Sequence, residues 1–357
     1  MQSRIRQSAT VVLATAALAF TGIAATQAAE SGRLLETGSS LLYPLFNIWV
    51  PSYTQNHQGM QITTQSTGSG TGISQAVSGV AQIGASDAYL SDALAKQHPN
   101  MLNIPLAISS QMVNYNLPGL NGHHLELSGP VLAGIYKGAI TKWNDPQIAQ
   151  LNPGVKLPNQ TIVPIHRTDG SGDTFIFTQY LSDTNPDWAG TLGYGTTISW
   201  PSVQGNLGAE GNQGMVNTLK QTPYSIAYIG ISFKSAIDSD KLGEAMLENR
   251  AGKFLLPDNQ TVQAAANADV GNTPANERIS LIFAPGANSY PIINYEYAIV
   301  NDKQTDAQTA QELKKFLDWA LNSGGGNAPS FMQKVDFVPL PASVRKLSDA
   351  QVAKIAG

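Results

Sequence analysis

The chain has 357 residues, a formal net charge of −4 and no cysteine. The lack of cysteine excludes disulfides, thiolate metal sites and a cysteine nucleophile. The acidic balance excludes the diffuse positive field with which proteins attract nucleic acids or anionic membranes, so neither is an expected partner. The length predicts about two domains. An anionic ligand would have to be held by local geometry rather than by bulk attraction.

The first residues have the three-part layout of a secretory signal peptide. Arg4 and Arg6 precede an almost wholly apolar run at 11–25, and small residues then permit cleavage after Ala28. We expect residues 1–28 to be removed and the mature protein to be periplasmic. No cysteine follows that could carry a lipid, so we do not expect a lipoprotein. An uncleaved anchoring helix is the alternative, although the apolar core is short for a membrane span.

Short strand-like stretches alternate with helical ones in the rest of the chain, which favours an α/β fold. The strand-like stretches are rich in β-branched and aromatic residues, and the last helical stretch is apolar on one face. The predicted strands are at 60–65, 81–85, 162–167, 225–229 and 292–300, and the predicted helices are at 72–80 and 306–322.

Two longer strand-like stretches, at 111–116 and 292–300, are candidates for crossings between two lobes. A chain that leaves one lobe at the first and returns at the second forms two lobes without a linker. We therefore expect a discontinuous lobe 1 (29–112 and 295–357) and a continuous lobe 2 (113–294). A ligand would lie in the cleft between them, at the carboxyl ends of strands.

The first of four polar, glycine-containing segments is ETGSSLLYP at 36–44. Ser39 and Ser40 stand where helix N-caps belong, and the N–H groups of Leu41 and Leu42 would point forward from the helix start. Such a terminus can bind an anion. Simple capping of the helix is the alternative interpretation.

The second and third segments each follow a predicted strand. In TGSGTG, at 67–72, glycines allow close approach of the backbone to a ligand and Ser69 adds a hydroxyl. The spacing matches neither the dinucleotide fingerprint nor the Walker phosphate loop. In GASDAYLSD, at 84–92, Asp87 is either a helix cap or a carboxylate that faces the cleft. A carboxylate would accept the proton of hydrogen phosphate but repel fully ionised sulfate.

The fourth segment, HRTDGSGDT at 166–174, is the most informative. Arg167 follows a strand and could donate two N–H groups to two oxygens of an oxyanion. Asp169 could pair with Arg167 and fix its plane. Ser171 and the N–H of Gly172 lead into a helix whose first turn contains Asp173. The alternative is a structural Arg–Asp pair with an ordinary cap.

Other chemistry-bearing patterns are absent from the sequence. The histidines show no familiar metal-ligand spacing, and no Gly-x-Ser-x-Gly turn is accompanied by a plausible Asp and His. We therefore expect no metal, no cofactor and no enzymatic activity. The histidines are His57, His98, His123, His124 and His166.

Taken together, these segments resemble the phosphate-binding protein of the phosphate ABC transporter, the PstS family. The resemblance rests on ETGSSLLYPLFNIW, TGSGTG, IGASDAYLSD and HRTDGSGDTFIFTQYLS, with ITKWNDPQIAQLNPGVKLP, YSIAYIGISF and YPIINYEYAIV in the same order. It implies a periplasmic-binding-protein fold with two α/β lobes joined by crossing hinge strands. It also implies high-affinity binding of dehydrated inorganic phosphate, and delivery to the membrane permease subunits of an importer by a protein that is a monomer by default.

Carried over by position, the resemblance implies a set of phosphate-binding groups. They are Ser39, Ser40, Leu41, Leu42, Ser69, Asp87, Arg167, Ser171, Gly172 and Asp173.

The chain departs from some relatives at two places in this set. A Thr and an aromatic residue stand in those relatives where this chain has Leu42 and Tyr43, so Ser39 or Ser40 is expected to replace the missing hydroxyl. Asp173 stands where some relatives have Thr. If Asp87 and Asp173 both reach the ligand, the site favours a more protonated phosphate, and affinity should hold or rise toward mildly acidic pH.

Three other functions remain as alternatives. An exported phosphatase would need an activated nucleophile or a metal cluster. A secreted phosphate scavenger or adhesin would have the same binding site but no transporter. A sulfate- or molybdate-binding protein is the nearest competitor, and Asp87 argues against both ligands.

Overall fold

The computed structural model describes residues 32–357, and the predicted signal peptide at 1–28 lies outside the described residues. The strands are β1 (Arg33–Gly38), β2 (Gln61–Ser66), β3 (Ile83–Ser86), β4 (Met101–Asn116), β5 (Glu126–Leu127), β6 (Val163–Arg167), β7 (Leu207–Ala209), β8 (Ser225–Gly230), β9 (Gly243–Glu244), β10 (Met246–Glu248), β11 (Phe254–Leu255) and β12 (Ile293–Asn301). The α-helices are α1 (Tyr43–Asn56), α2 (Ser69–Val77), α3 (Asp92–Gln97), α4 (Gly129–Lys137), α5 (Pro146–Leu151), α6 (Gly172–Thr184), α7 (Pro186–Thr191), α8 (Gly211–Gln221), α9 (Lys234–Ser239), α10 (Asn259–Asp269), α11 (Ala307–Leu321), α12 (Pro329–Met332) and α13 (Ala342–Val352). Among residues 32–357, no helix has both the length and the apolar character needed to cross a membrane.

The predicted α/β alternation is confirmed, and the predicted strands and helices are present with ends that differ by a few residues. The stretch at 111–116 is only the second part of a longer strand, β4. Its first part contains Pro105, which is unusual inside a strand. Pro105 is accommodated because the pairing of β4 with β12 shifts register there, between Glu296 and Tyr297.

A strand shared by two sheets joins the two lobes. The strand order is β2-β1-β3-β12-β4-β8-β6-β7. β1 is parallel to β2 and β3, and β6 is parallel to β7 and β8. β4 pairs antiparallel with β12 as far as Ser110, and antiparallel with β8 from Gln111 onward. The result is a two-lobed, periplasmic-binding-protein-like α/β fold. The chain crosses from lobe 1 to lobe 2 within β4, and it returns to lobe 1 just before β12, which pairs with β3 and with the first part of β4.

The lobe boundaries at 112/113 and 294/295 stay a prediction. Within the range assigned to lobe 2, part of the segment before β12 packs on lobe 1. The Tyr297 hydroxyl donates to the Glu277 carbonyl (3.0 Å), Ser348 Oγ donates to Glu277 Oε1 (2.8 Å), and Arg278 Nε donates to the Leu90 carbonyl (2.8 Å). The part of this segment that contains Glu277 and Arg278 is therefore bonded to lobe 1, although the predicted boundary assigns it to lobe 2.

Parallel strands place their following loops at one edge of each sheet. In lobe 1 these are the loops after β1, β2 and β3, and in lobe 2 the loops after β6, β7 and β8. Because β4 runs through both sheets, the two sets of loops face each other across the cleft. Each of the four polar, glycine-containing segments belongs to one of these sets.

Gly72 marks the closest approach of α2 to the lobe 1 sheet. A Cβ atom at this position would lie 2.6 Å from the Thr37 carbonyl oxygen and 2.7 Å from the Ala85 carbonyl oxygen. Both obstacles are backbone atoms, which cannot rotate away. Gly72→Ala is therefore expected to lower the free energy of unfolding by about 1–3 kcal/mol, as measured by urea denaturation.

Gly190→Ala is the matched control, because it also lies in a helix but has no atom within 4 Å of the added Cβ. This control should be neutral or slightly stabilising, since alanine favours helix more than glycine does. Equal unfolding midpoints for the two variants would contradict the steric argument.

Candidate functional site

The loop after β1 is a hydrogen-bonded turn that leads into α1. Ser39 Oγ accepts hydrogen bonds from the N–H groups of Leu41 (3.1 Å) and Leu42 (3.0 Å), and its hydroxyl donates to Asp87 Oδ1. Ser39 therefore satisfies two amides in the turn before α1. The predicted N-cap position of Ser39 or Ser40 is wrong, because the N-cap residue of α1 is Leu42, which has no side-chain cap bond. The role of the Leu41 and Leu42 amides as ligand groups stays a prediction.

Asp87 occupies the lobe 1 side of the cleft. It directly follows β3, and only 2% of its surface is exposed. Ser69, the first residue of α2, donates its hydroxyl to Asp87 Oδ2 (3.3 Å) and accepts the Asp87 N–H (3.3 Å). The sequence-predicted residues Ser39, Ser69 and Asp87 thus form one connected group on the loops after β1, β2 and β3.

Arg167 is the lobe 2 counterpart and is the last residue of β6. Its Nε donates to Asp169 Oδ1 (2.7 Å) and its Nη2 to Asp169 Oδ2 (2.5 Å). This two-point contact fixes the plane of the guanidinium and confirms the predicted pair. The remaining terminal nitrogen, Nη1, donates to Asp173 Oδ2 (2.7 Å).

The Asp173 carboxylate already has several donors. Besides Arg167, it accepts hydrogen bonds from Gln111 Nε2 at Oδ1 (3.0 Å) and from Asn212 Nδ2 at Oδ2 (2.7 Å). In this arrangement Asp173 helps to hold Arg167 in place. Its direct contact with a ligand stays a prediction.

Helix α6 directs its N-terminus into the cleft. Ser171 is its N-cap and accepts the Thr174 N–H at Oγ (3.2 Å). The N–H groups of Gly172 and Asp173 lie in the first turn, where a helix offers them no internal acceptor. Together with the helix dipole, they form an anion-binding terminus of the kind that the sequence predicted.

Gly172 is also a point of close approach between the lobes. A Cβ atom there would lie 2.3 Å from Asp87 Oδ2 and 2.6 Å from Ser69 Oγ. The backbone Gly70 N–H donates to the Gly170 carbonyl across the cleft (2.8 Å). The structure is therefore the closed form, with the α6 terminus against the Asp87 carboxylate.

Asn212, at the start of α8, is a connecting residue that sequence reasoning missed. Its backbone N–H and its Nδ2 both donate to Ser40 Oγ (3.0 Å each), and its Oδ1 accepts the Gly230 N–H (2.8 Å). Ser40 belongs to lobe 1, so these bonds join the lobes. The only sequence signal was the glycine turn GAEGNQG after a possible strand, which by itself is typical of many helix starts.

The charges of the site favour one protonated group. Burial raises the pKa of Asp87 to about 7, and the charge of Asp173 adds to the increase, while Glu296, Ser39 and Arg167 oppose it. Burial would lower the pKa of Arg167, but its bonds to Asp169 and the two aspartate charges raise it. Arg167 is therefore a permanent cation, and Asp87 changes charge near neutral pH.

Glu296 on β12 is a second residue that sequence reasoning missed. It is fully buried, and its interaction with the Asp87 carboxyl lowers the pKa of Asp87. The strand sequence INYEYAIV gave one signal, a single acid within an otherwise apolar and aromatic run. As for metals, no group of three or more His, Asp or Glu side chains in the described chain could hold an ion.

Asn212→Ala is expected to destabilise the closed structure. The change leaves the Gly230 N–H without a buried partner, removes one of the two donors to Ser40 Oγ and removes a donor from Asp173. It should therefore lower the free energy of unfolding by about 2 kcal/mol or more. Asn217→Ala, on the exposed face of the same helix, should change it by less than about 0.5 kcal/mol. Similar denaturation curves for the two variants would show that Asn212 does not join the lobes.

Comparisons with known proteins show the family to which the chain belongs. The family model described as PBP superfamily domain matches residues 24–323. The phosphate-binding protein PstS of Haemophilus influenzae is 34% identical over 316 residues, covering 88% of this chain and 91% of that protein. The protein of the same name from Methanocaldococcus jannaschii is 34% identical over 325 residues, covering 85% of this chain and 82% of that protein.

Solved structures show the same fold at lower sequence identity. A high affinity periplasmic phosphate-binding protein, PfluDING, bound with phosphate, gives a TM-score of 0.72 at 20% identity and covers 89% of this chain and 93% of its own. An ABC-type phosphate transport receptor from Vibrio cholerae gives a TM-score of 0.55 at 18% identity and covers 86% of this chain and 100% of its own. The chain belongs to the PBP superfamily and, within it, to the PstS family.

Proposed function

We propose that this protein binds inorganic phosphate with high affinity and delivers it to an ABC importer. One observation carries the proposal. A buried Arg167, the N-terminus of α6 and a buried acceptor, Asp87, meet between two lobes. Arginine and helix amides stabilise an oxyanion, and the acceptor requires that the oxyanion carry a proton. The relatives named phosphate-binding protein PstS support the same function.

The anion would lie between Asp87 and the first turn of α6, with Arg167 at its side. The groups proposed to contact it are Ser39, Ser40, Leu41, Leu42, Ser69, Asp87, Arg167, Ser171, Gly172 and Asp173. Gly172 and Asp87 are already in contact, so the cleft must widen for a tetrahedral anion to lie between them. Binding would then shift an equilibrium between open and closed lobes, because the ligand bonds to both lobes only when they are closed.

Asp87 disfavours sulfate as the ligand. Sulfate has no proton at neutral pH, so it would bring two charges against an acceptor that it cannot satisfy. The Asp87 carboxylate would then face the sulfate oxygens without a proton between them, which lowers the affinity for sulfate. Phosphate can satisfy the same acceptor.

The proposed protein binds phosphate and does not react with it. A phosphatase would need an activated nucleophile. The Ser39 and Ser69 hydroxyls both donate to Asp87, and in these hydrogen bonds neither has a histidine or lysine as its partner. A secreted scavenger without a transporter would have the same site. Assays of phosphate uptake in cells that lack the protein distinguish the scavenger from the importer subunit.

We further propose that the mature protein is exported to the periplasm and works as a monomer. It would meet the permease subunits in the membrane through the outer rims of both lobes. The basic start and apolar run of residues 4–25 support export.

Titration calorimetry of the ligand-stripped protein tests the function directly. We expect one-to-one binding of phosphate and no heat from sulfate. Heat from sulfate alone would show that the protein binds a different anion and would contradict the proposed function. Heat from neither anion would mean that the site segments serve only as helix caps.

Asp87→Asn is expected to weaken phosphate binding and to relax the rejection of sulfate. The amide cannot accept the ligand proton as a carboxylate does, and a charge-assisted hydrogen bond contributes about 1.5–3 kcal/mol, or about tenfold to hundredfold in affinity. Asp92→Asn is the control, since the Asp92 side chain is fully exposed. An unchanged ratio of phosphate to sulfate affinity in Asp87→Asn would remove Asp87 from this role.

The affinity for phosphate is expected to rise as the pH falls from about 8.5 toward about 7. Free phosphate is then mainly the dianion with one proton, whereas a site with two aspartates favours a complex that shares two protons. Uptake of one proton raises the association constant by up to about tenfold per pH unit. Near pH 7 the free Asp87 itself becomes protonated, so the rise should end there.

Calorimetry across this pH range measures the effect, and a PstS relative with Thr in place of Asp173 is the control. The control should show a smaller rise. Affinity that stays flat or falls between about pH 8.5 and about pH 7 would contradict a two-proton complex.

A further inference from the structure

Glu296 is a fully buried acid directly behind the proposed acceptor. It lies on β12 with none of its surface exposed, and its carboxyl group is close enough to that of Asp87 for each to shift the pKa of the other. Two carboxyl groups can form a hydrogen bond only if one of them carries a proton. The contact therefore raises the question of which acid holds the proton.

The hydrogen bonds of Glu296 place the proton on its Oε2 atom. Oε1 accepts from Ser109 Oγ (2.5 Å) and from Asn294 Nδ2 (3.1 Å). Oε2 is buried and receives no donor from residues 32–357. A buried carboxylate oxygen without a donor is costly, whereas the O–H of a carboxylic acid in that position is itself a donor. The remaining partner of the carboxyl is Asp87.

The backbone of the crossing strands directs Glu296 at this partner. The pairing of β12 with β4 shifts register between Glu296 and Tyr297, with Leu106 as the extra residue of β4. Such bulges re-aim side chains beside functional sites. Asn294, two residues earlier, donates to the Asp87 carbonyl (3.2 Å) as well as to Glu296. The strand thus holds the loop of Asp87 and the Glu296 carboxyl in one arrangement.

The surrounding charges give the same assignment. Asp87 is faced by Ser39 from the β1 loop, by Glu296 from β12, and by the charges of Asp173 and Arg167 from lobe 2. One cation already serves Asp169 and Asp173. An ionised Glu296 would add a buried negative charge with no cation, next to an anionic ligand. Burial, followed by the charge of Asp87, raises the pKa of Glu296 well above its ordinary value.

We propose that Glu296 is a positioning residue that stays protonated and donates its carboxylic acid hydrogen to Asp87. This bond stabilises Asp87 as the ionised acceptor, and the discrimination between phosphate and sulfate depends on that charge. Without the bond, Asp87 would take up a proton itself, and a protonated Asp87 could donate to sulfate. The inference rests on the proposed function, because it assigns the origin of the selectivity of the same site.

Two substitutions of Glu296 distinguish its role as a hydrogen-bond donor to Asp87 from an effect of a charge on Glu296. Glu296→Gln keeps the shape and an N–H donor toward Asp87, but it cannot ionise. Glu296→Leu removes the donor. Glu312→Gln is the control, because Glu312 is a buried glutamate on α11 that forms an ion pair with Lys315 (2.9 Å) and lies outside the site.

The first measurement is calorimetry of phosphate and sulfate binding from about pH 6 to about pH 8.5. We expect Glu296→Gln to stay within about threefold of the unmodified protein in phosphate affinity, with the same pH profile and no heat from sulfate. Glu296→Leu should lose about tenfold or more in phosphate affinity, move its pH profile to higher pH and gain measurable sulfate binding. A residue with only a packing role would leave the anion preference and the pH profile unchanged.

Two calorimetric results would overturn the proposal. If Glu296→Gln bound phosphate about tenfold or more tightly than the unmodified protein, Glu296 would be ionised in the unmodified protein. If Glu296→Leu folded and kept the anion preference and pH profile of the unmodified protein, Glu296 would not act through Asp87.

The second measurement needs no ligand. The infrared difference spectrum between the unmodified protein and Glu296→Gln should contain the carbonyl band of a protonated carboxylic acid, and the Glu312→Gln difference should lack it. Absence of the band would overturn the proposal even if Glu296→Leu did not fold. If the unmodified protein bound no phosphate while the band was present, the proposed function would fail and the Glu296–Asp87 bond would stand.

Discussion

Burial of one guanidinium organises the cleft. Arg167 is 3% exposed, so its charge must be compensated by neighbours rather than by water. Asp169 and Asp173 supply the compensation, and each of them then needs donors of its own. The Gly211 N–H serves Asp169 (3.2 Å), and Gln111 and Asn212 serve Asp173. Elements from β4, β6, α6 and α8 are fixed in relation to each other by this one requirement.

The same requirement leaves the site with more acid than base. Arg167 is shared by two aspartates before a ligand is considered, and Asp87 adds a third carboxylate on the opposite lobe. With one cation and three carboxylates, the net charge of the site does not attract an anion. Directed N–H groups and hydroxyls supply the binding free energy instead, and the surplus of acceptors sets a condition on the ligand. Selectivity then comes from what the cleft penalises.

Sequence patterns predicted the parts of this protein that depend on local rules. Alternating strands and helices gave the α/β fold, and the spacing of Arg167 and Asp169 gave their pair, because both sit in one short loop. Asn212 and Glu296 could not be found in this way. Asn212 reaches Ser40 from the other lobe, and Glu296 reaches Asp87 from a strand more than two hundred positions away. Such contacts depend on how the loops are brought together, which no local pattern encodes. The hydrogen bonds from the Leu41 and Leu42 amides to Ser39 likewise depend on a side-chain rotamer.

The pairing of β12 has a consequence for the order in which the molecule folds. The lobe 1 sheet has β12 in its interior, between β3 and β4, so the N-terminal strands lack a neighbour until Ile293–Asn301 has been synthesised. Strand pairing over such separations in sequence is slow, because a long loop must be closed first. The strands β6, β7 and β8 pair with one another and with β4, and all of them precede β12, so the lobe 2 sheet has no such dependence. A nascent chain would therefore hold an incomplete lobe 1 sheet until β12 had been made, although the lobe 2 sheet could already have formed.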